Sequence, residues 1–459
     1  MGLTSKANVG VKAQLRSRFP RAFKNCDSLA DARDAASAAR EQAIAVIDGN
    51  VLIMAVPQRA RTYDDYVAVL MSSLKQAIAT ALVTVVVFDE PDSLTKAKIQ
   101  EQMKRDHSRA SASVACSQDL VRVPTTDAYS KRDIEAADDV QALVRHRPTR
   151  QRFIDEVAMD VLKKLTAQID RWSLSGHTGG HLLFDGIDPR GADRPFSEKR
   201  DPQVVGSSDE AVAAFRRETK IGEGDLKLAW HGRGARAGAL QDGLLANLKL
   251  NMAVTIDTDS FAIELIEEAR RAADANVSPC NTVLCMRERA QKRGREDDRE
   301  AHYLCCDVAL LHDQVQRHMW GISASPSPLE QRAAMTLMVG GWVLCGCDYV
   351  DAVKPLRADV VFEAVPEVVR RPATLARMQA AWAGDRAALQ QLERPLQELM
   401  TTCCSRLSDM PKVRKTNLLA LRSVDSSVLK RASWVAAYWN SVEHSGNLED
   451  CGFFIPYSQ

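Results

Sequence analysis

Several short apolar runs in this chain end in an aspartate, and no other feature narrows the fold as much. They are VID at Val46 to Asp48, VTVVVFD at Val83 to Asp89, NMAVTIDTDS at Asn251 to Ser260 with Asp257 and Asp259, and VLCGCD at Val343 to Asp348. Apolar runs without alternation suit strands covered on both faces, which occur in parallel sheets flanked by helices. Val83 to Phe88, five β-branched residues and a phenylalanine, carries that signal most clearly. In an extended chain residues i and i+2 share a face, so Asp257 and Asp259 are expected to aim both carboxylates past the end of one strand. Like charges that close repel unless a cation lies between them, and hard divalent ions take such oxygen ligands. Strands that each bring a carboxylate to the same sheet end make a collecting point for metal ions. Glu223 and Asp225, in GEGDLK, add an acidic pair where a helix would begin, a place where acids also serve as ordinary caps.

The chain has 459 residues, enough for one large core or two smaller ones. Lys plus Arg number 61 against 60 for Asp plus Glu, so net charge points to no partner and a nucleic-acid surface has to come from local patches. The eleven cysteines are odd in number and partly adjacent, which suits reduced thiols of a cytoplasm or nucleus. No apolar run approaches a membrane span, so no membrane partner is expected. Residues 1–26 hold six basic residues and no acid, a basic face or a transit-like leader. Lys6 stands where N-myristoylation wants Ser or Thr.

Between the acid-bearing runs, EPDSLTKAKIQEQMKRDHSR follows Asp89 as a lysine-rich helix, by itself a solvated face. Ile154, Val157, Val161, Leu165 and Ile169 recur at helical spacing. Gly176 to Gln203, rich in Gly, Pro and charge, reads as an excursion in which HLLFDG at His181 to Gly186 is a further strand. His177 and His181 have metal-ligand spacing but read as ordinary loop histidines. HYLCCDVALLHDQ fits a strand feeding a helix. Cys280, Cys285, His302 and Cys305 lack the tight CxxC spacing of a zinc knuckle. Residues 365–445 read as helical.

The order VIDGN, VVVFDEPDSLTKAK, GEGDLK, TIDTDS, VLCGCDY resembles the flap endonuclease, XPG and Xrn superfamily of 5′ nucleases, in a divergent form similar to the flap-endonuclease-like proteins of large DNA viruses. The resemblance runs from residue 1 to about 350, patchily outside the motifs. It implies an α/β fold, a PIN-like, Rossmann-like and mostly parallel sheet flanked by helices, with a nuclease core over 1–365, an insertion at about 105–215 and a helical region over 366–459. It implies that Asp48, Asp89, Glu223, Asp225, Asp257, Asp259 and Asp348 hold two Mg2+ ions, for which Mn2+ can substitute. Lys96 stands where the family's phosphate-contacting lysine falls, and Gly2, Lys104, Arg105, Lys354 and Arg357 are the nucleic-acid-contacting candidates. GEGDLK is closer to the Xrn form, and Met54 replaces the flap endonucleases' base-stacking tyrosine. No glycine occurs between Gly346 and Gly384, so the family's K+-binding duplex grip is not expected.

The implied function is Mg2+-dependent hydrolysis of branched, flapped or nicked DNA in replication, repair or recombination. The alternatives are an Xrn-like 5′-3′ exoribonuclease acting on RNA, and a non-catalytic nucleic-acid-binding scaffold. A haloacid-dehalogenase-type phosphatase also uses DxD after a strand, but on its first strand, whereas two aspartate-ending strands come earlier here. The tail GNLEDCGFFIPYSQ has paired phenylalanines, yet Asn447 and Asp450 stand where a sliding-clamp motif wants glutamine and an aliphatic, which argues against clamp binding. The expected location is cytoplasm or nucleus, or a viral factory for a viral protein.

Overall fold

The computed structural model describes residues 10–54, 62–89, 153–165 save 162, 181–187, 203–205, 224–240, 245–273, 278–288, 302–347 save 323, 350–382, 392–408 and 424–440, with residues 56, 140, 150, 418, 421 and 422. The fold is α/β, a mostly parallel mixed sheet flanked by helices. Its strands are β1 (Phe23–Cys26), β2 (Ala43–Asp48), β3 (Val83–Val87), β4 (His181–Asp185), β5 (Gln203–Val205), β6 (Leu250–Thr255), β7 (Asn281–Glu288) and β8 (His302–Asp307). The helices are α1 (Val11–Arg18), α2 (Leu29–Ala35), α3 (Gly49–Met54), α4 (Tyr63–Thr80), α5 (Gly224–Gly238), α6 (Asp259–Ala273), α7 (Val308–Trp320), α8 (Pro328–Leu344), α9 (Ala358–Val369), α10 (Pro372–Trp382), α11 (Glu393–Ser408) and α12 (Ser426–Asn440). The chain forms two compact units, one of Met1–Asn25, Ile256–Met286 and Leu304–Gln459, the other of Cys26–Thr255 and Arg287–Tyr303.

In the second of these units β2 runs parallel to β3, from Ile44 opposite Val83 to Asp48 opposite Val87, and parallel to β6 on its other side. β3 is parallel to β4, with Val87 opposite Asp185, and β5 pairs antiparallel with β4. Every residue of β2, β3 and β6 is buried, which is why these runs are apolar without alternation. β4 therefore belongs to the sheet, although the expected insertion at about 105–215 spans it. Helix α4 starts at a capping box between Thr62 and Asp65 and turns Tyr66, Leu70, Leu74 and Ala77 inward. The expected amphipathic helix is present over residues 153–161, with Ile154, Val157 and Val161 buried. Its Phe153 ring meets Tyr66 edge-on at 5.1 Å, and the Tyr63 hydroxyl donates to Asp160 Oδ2 at 2.9 Å.

The other unit contains β1, β8 and β7 as neighbours in that order, with HYLCCD as β8 feeding α7 as expected. Its central element is α8, buried continuously from Ala333 to Leu344. This corrects the reading of VLCGCD as a strand, since Val343 and Leu344 are the last residues of α8. The helix opens on a capping box from Ser327 to Glu330 with Pro328 in its first turn, and an apolar run that long, buried on all sides, suits a core helix. Residues 366–459 contribute α10, α11 and α12, and α11 and α12 pack against α8. Helix α1 docks on α9, where Arg18 lies over the Phe362 ring at 4.9 Å and pairs with Glu363, while His318 stacks on the same ring at 4.4 Å. No described helix is long and apolar enough to cross a membrane.

Buried His312 of α7 carries a pH consequence. Burial pushes its imidazole down to about 4, only partly countered by the nearby Glu268 carboxylate, with Arg271 and Asp313 also facing it. The folded value lies below the unfolded one of about 6.5, so above that pH both states are neutral and nothing is lost. As pH falls from 6.5 toward 4 the unfolded chain takes up a proton that the folded one refuses, and stability drops by up to about 1.4 kcal/mol per pH unit. Urea unfolding at pH 7, 5.5 and 4.5 is expected to show this slope in the wild type and a flatter one in His312→Leu.

Candidate metal site and its buried support

Asp48 closes β2 and is buried, and its Oδ1 accepts the Asn50 N–H at 2.9 Å. Asp89 lies two residues past β3, and its Oδ1 accepts the Gly224 N–H at 2.7 Å. That N–H belongs to the first turn of α5, which lacks intrahelical acceptors for its amides. A methyl group on Gly224 would sit 3.3 Å from Asp89 Oδ1 and 3.8 Å from Asp48 Oδ1, so both carboxylates reach the same small patch of backbone. Asp225 follows in that first turn, as expected of an acid placed where a helix begins. Helix α5 packs on β2, β3 and β6, which brings its start to the carboxyl ends of the parallel strands.

The carboxylate oxygens of Asp48 and Asp89 around Gly224 are the hard, charged donors that Mg2+ or Mn2+ prefers, so these two of the expected ligands suit such an ion. Among the described residues, no group of three or more histidine, cysteine, aspartate or glutamate side chains is arranged to hold a metal. Glu223 and Asp348, two of the seven expected ligands, lie outside the described residues, as do Gly2, Lys96, Lys104 and Arg105.

Asp257 and Asp259 belong to the other unit and depart from the extended geometry expected of them. β6 ends at Thr255, Asp259 is already the first residue of α6, and its N–H donates to Asp257 Oδ1 at 3.1 Å. The pair thus acts locally as a helix start, with Asp259 buried. Arg357 pairs with Asp359, and Lys354 is exposed beside it in the sequence. Of the cysteines weighed for zinc, Cys305 Sγ lies 3.8 Å from Cys285 Sγ, whereas His302 pairs with Asp27 at 3.0 Å.

Beside the Asp48–Asp89 patch lies a charge network that the sequence reading passed over. Asp185, at the end of β4, receives Lys227 Nζ on Oδ1 at 2.9 Å and faces His231 Nε2 through Oδ2 at 2.7 Å. The Lys227 side chain is 0% exposed and that of Asp185 1%. Lys227 and His231, four residues apart, share one face of α5. Burial alone would raise the Asp185 carboxyl, but the Lys227 ammonium and the His231 hydrogen bond hold it well below the usual carboxylate range. Gly186 makes the packing possible: its φ is +91°, and an added Cβ would lie 2.3 Å from the Phe88 carbonyl oxygen and 2.8 Å from Lys227 Nζ. A signal did exist, since HLLFD is one more apolar run ending in an aspartate.

The chain matches no protein-family model and no curated protein.

Proposed function

We propose that this chain is a divalent-metal-dependent 5′ nuclease that hydrolyses phosphodiester bonds in DNA. The observation that carries this reading is the meeting of Asp48 and Asp89, from the ends of adjacent parallel strands, at Gly224 and the acidic start of α5. Asp257, Asp259, Glu223 and Asp348 enter through the order of the motifs in the sequence, as does the PIN-like character of the fold. A bound divalent ion would polarise the attacking water and neutralise charge on the phosphate. Asp48 and Asp89 would hold the ion, joined by Asp225 as the resemblance implies. The Gly224 N–H and Asn50 N–H each fix one carboxylate oxygen, so the carboxylates do not swing away when the site is empty of substrate. Lys96 offsets negative charge on the phosphate, as the resemblance implies.

The test is cleavage of flapped, gapped, nicked and single-stranded DNA, with matched RNA strands at equal concentration, in Mg2+ and in EDTA. Metal-dependent cutting of DNA is expected. Preference for single-stranded RNA would favour the exoribonuclease reading that GEGDLK suggests, and no cutting of any substrate with Mg2+ or Mn2+ would sink both.

A further inference from the structure

We infer that Asp185, Lys227 and His231 are positioning residues, a buried network that fixes the first turn of α5 so that Gly224 stays at Asp89 and Asp48. The inference rests on the metal-site reading above. It starts from a closed ring of contacts. Asp89 Oδ1 takes the Gly224 N–H, and three residues along α5 Lys227 reaches Asp185 Oδ1. The Asp185 carbonyl takes the Phe88 N–H at 2.8 Å, and Phe88 is bonded to Asp89. His231 braces the other Asp185 oxygen one turn further along the helix. The Phe88 ring fills the space that a side chain at Gly49 would need, which ties the same ring to the residue after Asp48.

Helix starts fray because their first amides lack partners, and Gly224 has no side chain with which to anchor this one. The anchoring therefore falls to the side chains behind it. A buried ion pair is seldom more stabilising than apolar residues of the same volume, so stability alone gives little reason to bury a lysine completely. An ion pair does demand a single geometry, whereas an apolar contact tolerates sliding. A candidate ligand helix needs that single geometry, because displacing groups that orient metal ligands weakens metal binding by about 10- to 100-fold.

The test uses the full chain with Lys227→Met and with the double variant Asp185→Asn/Lys227→Met, which removes both charges. Two quantities are read without substrate: Mn2+ affinity by electron paramagnetic resonance, and the hydrogen-exchange rate of the Gly224 amide. Both variants are expected to bind Mn2+ about tenfold more weakly or worse and to exchange Gly224 about tenfold faster, even though the double variant regains most of the melting temperature. Affinity and exchange within about twofold of wild type in the double variant would overturn the inference and leave the network a stability element. If wild-type protein takes up no Mn2+, the metal reading fails by itself and the exchange arm decides: faster Gly224 exchange in the double variant upholds the positioning role, and unchanged exchange overturns it.

Discussion

Asp89→Asn is expected to leave the protein folded while lowering metal-dependent DNA cleavage by about a thousandfold or more, at or beyond the 10²–10³ lost with a single electrostatic contact. The amide keeps an oxygen for the Gly224 N–H, which Asp89 Oδ1 now accepts at 2.7 Å, and removes only the charge that a divalent ion needs. Asp89→Ala is expected to be equally inactive but to lose in addition about 1 kcal/mol, the usual worth of a hydrogen bond. Relief of repulsion between acids works the other way, so the difference between the two variants isolates the Gly224 contact. Single-turnover cleavage and urea unfolding on both variants provide the check. An asparagine variant that cuts at the wild-type rate would remove Asp89 from the site.

The largest loss of stability is expected from Lys227→Met, about 3–5 kcal/mol, the range for breaking a buried pair by removing one partner. Asp185 would then keep its charge while buried, with His231 facing its other oxygen. The pH dependence follows from sign. In the wild type the folded Asp185 value lies below the unfolded one of about 3.9, so the pair's contribution is complete above that pH and is lost only as pH falls further. In Lys227→Met burial is opposed only by His231, the Asp185 carboxyl rises, and the deficit relative to wild type shrinks on acidification as the buried acid becomes neutral. Denaturant melts at pH 7 and pH 5 test this. A deficit under about 1 kcal/mol at pH 7 would show that the pair is not isolated from solvent as its burial indicates.

β2, β3 and β6 could be read directly because burial on both faces leaves a local trace, an unbroken β-branched and aliphatic run. β4 left the same trace inside a Gly- and Pro-rich stretch, where its aspartate was given no role. Lys227 could not be read as buried, since its partner lies 42 residues away and nothing within GEGDLK separates a core lysine from a solvated one. VLCGCD misled because a six-residue window looks like a strand, whereas the capping signals at Ser327 and Glu330 that mark α8 lie well upstream. The aspartates of TIDTDS misled in another way. Alternation on one face presumes an extended chain, and Asp257 ends that extension by accepting the Asp259 N–H.

The docking of α1 on α9 has a consequence for synthesis. Val11 and Leu15, buried in the finished unit, leave the ribosome long before residues 358–369 exist to help cover them. At about 5–20 residues per second the delay is on the order of tens of seconds, during which the second unit can already close around β2, β3, β4 and β6. Helix α1 is thus made well before the helix it docks on and finds its place late. Premature termination anywhere between α1 and α9 would release a chain whose α1 carries buried-type apolar residues and several cations with no α9 to receive them, a form suited to capture by chaperones and proteases rather than to partial activity.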